Sequence, residues 1–252
     1  MSDIIKKEPS TGIALNKGKL RSSASPFQQR VNQAKTEVVD PATMPNRIVL
    51  MLDKSSSMST MERGSSRRID LLKDALQNFV GRCNFNDTSI AIETFPEGFS
   101  LPLTSNTGQL QTSVFAFEAS GNTPMRHCVE TCLERVPMTR GVIVSDGEAT
   151  DWHRDDYSFY EEETRVQDSK VDDVLKKYKE AGIPIDCVHI SDTSSGEALL
   201  RRIAKETGGI FLKFTDVSAF ASAFGYLTPS YRAMLTDGRV SAASIGATEV
   251  RQ

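Results

Sequence analysis

Residues 47–52, RIVLML, form a run of strand length that is apolar without a break after Arg47 and stops at Asp53. A strand that is apolar at every position is buried on both faces. That is the situation of a parallel sheet covered by helices on each side. A second run, RGVIVS, ends in the same way at Asp146. Between and beyond the two, helical stripes alternate with strands. Ile69, Leu72, Leu76, Phe79 and Val80 recur at helical spacing behind Ser66, a candidate cap. TSIAIETF and FSLPLT flank the turn PEG and predict a hairpin. Leu110, Val114 and Phe117 mark a short helix.

Thr123 followed by Pro124 predicts a helix start, with Thr123 as the cap and Met125, Cys128, Val129, Cys132 and Leu133 on the inner face. Val171, Val174, Leu175 and Tyr178 predict a helix stopped by Gly182. IPIDCVHI reads as a strand, SGEALLRRIAKETGG as a helix capped by Ser195, and IFLKF as a strand. Asp216 is placed to cap a last helix through Val217, Phe220 and Phe224. The expected architecture is α/β: a Rossmann-like, doubly wound, mostly parallel six-stranded sheet with one antiparallel edge strand and helices on both faces.

The 252 residues suit one sizeable domain with tails. Residues 1–44 are polar and lack periodicity, so a disordered arm is expected there. The domain proper is expected over 45–228, with a loosely ordered tail over 229–252 and one helical turn near YRAML. Gly12, Gly18 and Lys19 mimic a phosphate-binding loop, but the spacing is one residue too long and Leu20 stands where Ser or Thr is needed.

A net charge of -3 argues against a general nucleic-acid binder. No run of 18 apolar residues exists to span a membrane, and MSDIIKKEPS lacks the apolar core of a secretory signal, so a cytoplasmic location is expected. Cys83, Cys128, Cys132 and Cys187 have neither disulfide-framework nor zinc-ligand spacing and read as packing residues.

In open α/β sheets, ligands sit beyond the carboxyl ends of the strands, where strand order reverses. Asp53 and Asp146 both stand at such ends, and Thr123 stands at a helix start that can face the same rim. Ser55 and Ser57, two residues apart, can point to one side of their loop. Two carboxylates with several hydroxyls suit a hard divalent cation: Mg²⁺ first, Mn²⁺ also, Ca²⁺ less well. Neutral hydroxyls leave such an ion under-neutralised, ready to take one more oxygen anion from outside.

These segments, DKSSS, GNTPM and SDG, together resemble the metal-ion-dependent adhesion site of von Willebrand factor A (VWA) domains. The resemblance covers roughly residues 46–227. It implies that Ser55, Ser57 and Thr123 touch the ion, with Asp53 and Asp146 bonding directly or through water. Ser56 and Ser145 depart from the glycine and threonine common in the family, at positions that are not ligands. The resemblance also implies a protein partner that supplies a Glu or Asp, and work beside a separate AAA+ ATPase, since this chain has no phosphate-binding loop of its own.

The stretch TDWHRDDYSFYEEE follows Asp146 and must lie on the same rim. Trp152, Tyr157, Phe159 and Tyr160 are candidate partner contacts, because aromatics are enriched at binding hot spots. The alternative is a solvated loop with its aromatics tucked beneath. His153 is a further candidate, as an extra ligand or as a plain surface residue. SDGEATDWHRDD is similar to the matching segment of bacterial tellurite-resistance-type stress VWA proteins.

Two other functions stay open. A metal-dependent phosphohydrolase would use Asp53 as nucleophile, yet Ser55 replaces the usual second aspartate and no general base is evident. A structural or assembly component, of a phage or a multiprotein complex, would dock through the tails. An enzyme is not expected.

Overall fold

The computed structural model describes residues 39–61, 66–147, 149–152, 172–191, 196–214, 220, 224–241, 243–247 and 249–251. Strand β1 (Asn46–Asp53) carries the first apolar run and is buried from Ile48 to its end. The helix α1 (Arg68–Arg82) follows, then the hairpin of β2 (Thr88–Phe95) and β3 (Ser100–Thr104). Next come α2 (Thr107–Ser113), α3 (Met125–Arg135), β4 (Arg140–Ser145) and a helix over 172–180, α4. Then β5 (Ile185–His189), α5 (Glu197–Thr207) and β6 (Phe211–Lys213) complete the alternation.

The sheet order is β3-β2-β1-β4-β5-β6-β7, where β7 is Glu249–Arg251. Strands β2, β1, β4, β5 and β6 run parallel, and β3 pairs antiparallel with β2 at one edge. These are the six expected strands. The seventh, β7, adds a second antiparallel edge on β6.

Successive residues of the parallel strands feed two separate cores, which is why these strands are apolar throughout. Ile48, Leu50 and Leu52 pack with Ile69, Leu72, Leu76 and Phe79 of α1. Val49 and Met51 turn to the other face and meet Met125 and Val129 of α3, Tyr178 of α4 and Leu200 and Ile203 of α5. Cys128, Cys132 and Cys187 lie buried in this second layer and all four cysteines are free, as packing residues should be. Burial pushes the Cys83 thiol up to about 12, which keeps it protonated and unreactive.

The residues at both ends of the domain differ from expectation. Residues 1–38 of the expected arm lie outside the described residues. Its last residues are packed: Pro41–Thr43 form a 3-10 turn, Met44 is buried, and Ser89 donates to the Pro41 carbonyl. Within 229–252, described residues form ordered elements, including the helical turn expected near YRAML. Pro229–Thr236 form α6, Ala243–Ile245 a further 3-10 turn, and Leu235, Ile245 and Ala247 join the α1-side core. A buried polar network also fastens this segment to the sheet. Asp186 on β5 accepts from Arg140 Nη1 at 3.0 Å, from Arg232 Nε at 2.8 Å and Nη2 at 3.0 Å, and from the Ile210 N–H at 2.9 Å. Arg140 Nη2 also donates to the Leu227 carbonyl at 2.6 Å.

Val171, the Ser195 cap and the Asp216–Val217 helix start lie outside the described residues. Phe220 and Phe224 are buried side by side, with ring centroids 5.3 Å apart, and Phe224 begins a 3-10 turn. No helix among the described residues is long and apolar enough to cross a membrane.

Candidate functional site

β1 is the strand at which the chain changes direction across the sheet: β2 and β3 lie on one side, β4 to β6 on the other. The crevice between the carboxyl ends of β1 and β4 is therefore where loops diverge and a ligand finds room. The register Leu52↔Val144 brings Asp53 beside Ser145, with Asp146 the next residue along, so both carboxylates stand at this crevice. After Asp53 the chain enters a 3-10 turn over Ser56–Ser59. Backbone bonds pin this turn to its neighbours. Lys54 N–H donates to the Phe95 carbonyl at 2.8 Å and Ser56 N–H to the Gly121 carbonyl at 2.9 Å. Ser120 N–H donates to the Lys54 carbonyl at 2.6 Å, and Thr150 N–H to the Thr123 carbonyl at 2.9 Å. Gly121 has φ +77, a left-handed conformation that side chains rarely adopt, and a Cβ there would meet Pro96.

Backbone bonds thus bring the three segments together, and the side-chain oxygens of two of them, Asp53–Ser57 and Ser145–Asp146, cluster. The Ser55 and Ser57 hydroxyls lie 2.9 Å apart. Ser57 Oγ donates to Asp146 Oδ1 at 2.7 Å. Asp53 Oδ1 accepts from the Ser55 N–H at 2.8 Å, and Asp53 Oδ2 from the Ser145 hydroxyl at 2.6 Å. Asp53 is fully buried and Asp146 3% exposed. Burial pushes the Asp53 carboxyl up to about 7, and the charge of Asp146 adds to the rise, against the Ser145 and Ser55 donors. Asp53 is met by neutral donors, the Ser55 N–H and the Ser145 hydroxyl, and a cation would supply the charge that these donors do not.

The donor set fits a hard cation. Neighbouring oxygens in an octahedral Mg²⁺ shell, with bonds of about 2.0–2.1 Å, stand about 3 Å apart. The Ser55–Ser57 and Ser57–Asp146 spacings are of that size. Among the described residues no three His, Cys, Asp or Glu side chains form a metal-holding group, so any such site is built on hydroxyls with two carboxylates.

Thr123 is 8% exposed at this rim, but it does not cap α3. The helix begins one residue later, with Pro124 in the cap position and no local side-chain cap. Its first free N–H groups are met from another loop. Asp151 Oδ1 accepts from Arg126 N–H at 3.0 Å, and Asp151 Oδ2 from His127 N–H at 2.9 Å. A carboxylate at a helix N-terminus is favourable, so Asp151 replaces Thr123 as the cap. The expected cap was a local residue; the actual one is 25 positions from Arg126, and spacing rules do not reach it.

Arg68, at the start of α1, is the residue that spacing rules missed. Its Nη1 pairs with Asp146 Oδ2 at 2.7 Å, with the Arg68 side chain 14% exposed and that of Asp146 at 0%. The only sequence signal was an arginine in a first helical turn, where the helix dipole disfavours a cation.

Trp152 must be corrected as a partner contact. It is 1% exposed and packed in the α3-side core, because its large apolar ring gains more from burial than from solvent contact. The other candidates, His153, Tyr157, Phe159 and Tyr160, lie outside the described residues.

No protein-family model matches the chain, and no curated protein matches it in sequence. Solved structures do match. The SpRpn10 VWA domain aligns with a TM-score of 0.56 at 12% identity, over 73% of this chain and 95% of that one. The vWF domain of the type V pili tip protein Mfa5 from Porphyromonas gingivalis aligns with a TM-score of 0.54 at 14% identity, over 79% and 97%. BatB from Bacteroides thetaiotaomicron aligns with a TM-score of 0.54 at 14% identity, over 71% and 95%. Together with the strand order, these matches establish the architecture: the chain has the fold of von Willebrand factor A domains.

Proposed function

We propose that this chain is a protein-interaction module that holds a divalent cation, Mg²⁺ or Mn²⁺ before Ca²⁺, at its strand-end rim. The cation captures a Glu or Asp side chain of a protein partner. The observation that carries this reading is the oxygen cluster of Ser55, Ser57 and Asp146 at spacings of 2.9 and 2.7 Å, backed by the buried carboxylate of Asp53. Ser55, Ser57 and Thr123 would hold the ion, with Asp53 and Asp146 balancing its charge directly or through water. The ion supplies an electrophilic point that an outside carboxylate completes. The protein's own part is to fix the hydroxyls through the backbone bonds to Phe95, Gly121 and Ser120.

The phosphohydrolase alternative draws less support. A nucleophilic carboxylate needs an oxygen free to attack. Asp53 has no exposed surface from which to reach a phosphorus atom, which favours a holding role. Among partners, a separate AAA+ ATPase or a component of a stress-response complex is the expected class. Affinity capture with the immobilised full chain tests the function. We expect a partner retained in Mg²⁺ and released by EDTA, and not retained by Asp53→Ala. Retention unchanged by EDTA and by Asp53→Ala overturns the reading.

A further inference from the structure

We infer that Arg68 is a built-in competitor for the cation: its guanidinium occupies Asp146 and sets how tightly the rim holds a divalent ion. The inference rests on the proposed metal site and adds a residue that tunes it. Both oxygens of Asp146 are engaged, Oδ1 by the Ser57 hydroxyl and Oδ2 by Arg68 Nη1 at 2.7 Å. The Asp146 side chain has no exposed surface, so its charge is compensated from within the protein.

A cation in the first turn of a helix opposes the dipole. The neighbouring Arg67 offsets this through pairs with Asp70 at 2.9 Å and Glu118 at 3.2 Å, both on exposed surface. Arg68 instead turns inward, across 78 residues of sequence, to the carboxylate at the end of β4. Arginine keeps its charge in such a setting, and its planar fork suits a carboxylate.

The consequence is a matter of charge. Asp53 and Asp146 together carry two negative charges, which would neutralise a divalent ion. With Arg68 on Asp146, part of that negative charge is already answered by the guanidinium. That weakens the hold on the ion and strengthens the demand for an anion from outside. Arg68 thereby exchanges metal affinity for capture of an acidic group.

Mn²⁺ titration by isothermal calorimetry on the full chain tests this, comparing wild type, Arg68→Gln and Arg68→Lys, with circular dichroism as the folding control. Removing one positive charge a few ångströms from the ion is expected to tighten Mn²⁺ binding on the order of ten- to a hundred-fold in Arg68→Gln. Arg68→Lys, which keeps the charge, is expected to stay within about threefold of wild type. Equal or weaker binding by folded Arg68→Gln overturns the role of Arg68 while wild-type binding leaves the metal site standing. Absence of binding in wild type and both variants overturns the metal site and this inference together.

Discussion

Asp186→Ala is expected to destabilise the fold by about 3–5 kcal/mol, because it strands two guanidinium groups that share one buried carboxylate. Arg140 is 6% exposed, and burial holds its guanidinium below its ordinary value, with Asp186 pulling it back up. Arg232 reaches the same carboxylate from α6 through two hydrogen bonds. Removing the carboxylate also leaves the Ile210 N–H, at the entry to β6, without its acceptor. Thermal unfolding should show a midpoint lower by on the order of 10 °C. Asp186→Asn, which keeps acceptor oxygen but not charge, should fall between the two. A loss below about 1 kcal/mol for Asp186→Ala would mean that the network does not fasten the C-terminal segment.

Asp53→Asn is expected to have opposite effects on stability and on metal binding. In EDTA the variant should be more stable than wild type at pH 7.5 and above. The Asp53 carboxyl stands at about 7 in the fold against an ordinary value of 3.8, so the folded state binds its proton more tightly than the unfolded state does. Stability from this group is present at low pH and is lost as pH rises from about 4 through 7. Asparagine removes that loss, and its amide can still accept from Ser55 N–H and donate to Ser145 Oγ. The gain at neutral pH is on the order of a few kcal/mol and should vanish near pH 4. Mn²⁺ affinity should fall by roughly ten- to a hundred-fold or more. Urea unfolding across pH 4–8 and calorimetric titration check the two halves. A variant no more stable than wild type at pH 8 would contradict the buried-charge account.

The parts of this fold that were legible in the sequence are those set by local pattern. The IVLML of RIVLMLD and the VIV of RGVIVSD are apolar without a break because alternate residues enter two cores, and each run ends where its strand leaves the sheet. The hairpin followed from alternation around PEG, and the placing of Asp53 and Asp146 at one sheet end from topology alone. What stayed hidden is long-range and polar. Asp151 caps α3 from another loop, Asp186 gathers Arg140 and Arg232, and Arg68 crosses to Asp146. A charged residue's spacing does not reveal its partner, since the fold selects it. Trp152 misled for the reverse reason: an aromatic among acidic residues reads as surface, yet the core claimed it. The strand β7 is only three residues long and leaves no period to detect.

The central claim is that hydroxyls and carboxylates from three separate segments hold one hard cation. Diffraction at the manganese edge from crystals soaked in MnCl₂ tests it most directly. The account predicts one anomalous peak within bonding reach, about 2.2 Å, of the Ser55 and Ser57 hydroxyls, and its loss in Asp53→Ala. No peak at that rim in well-diffracting crystals, or a peak that survives in Asp53→Ala, would contradict it.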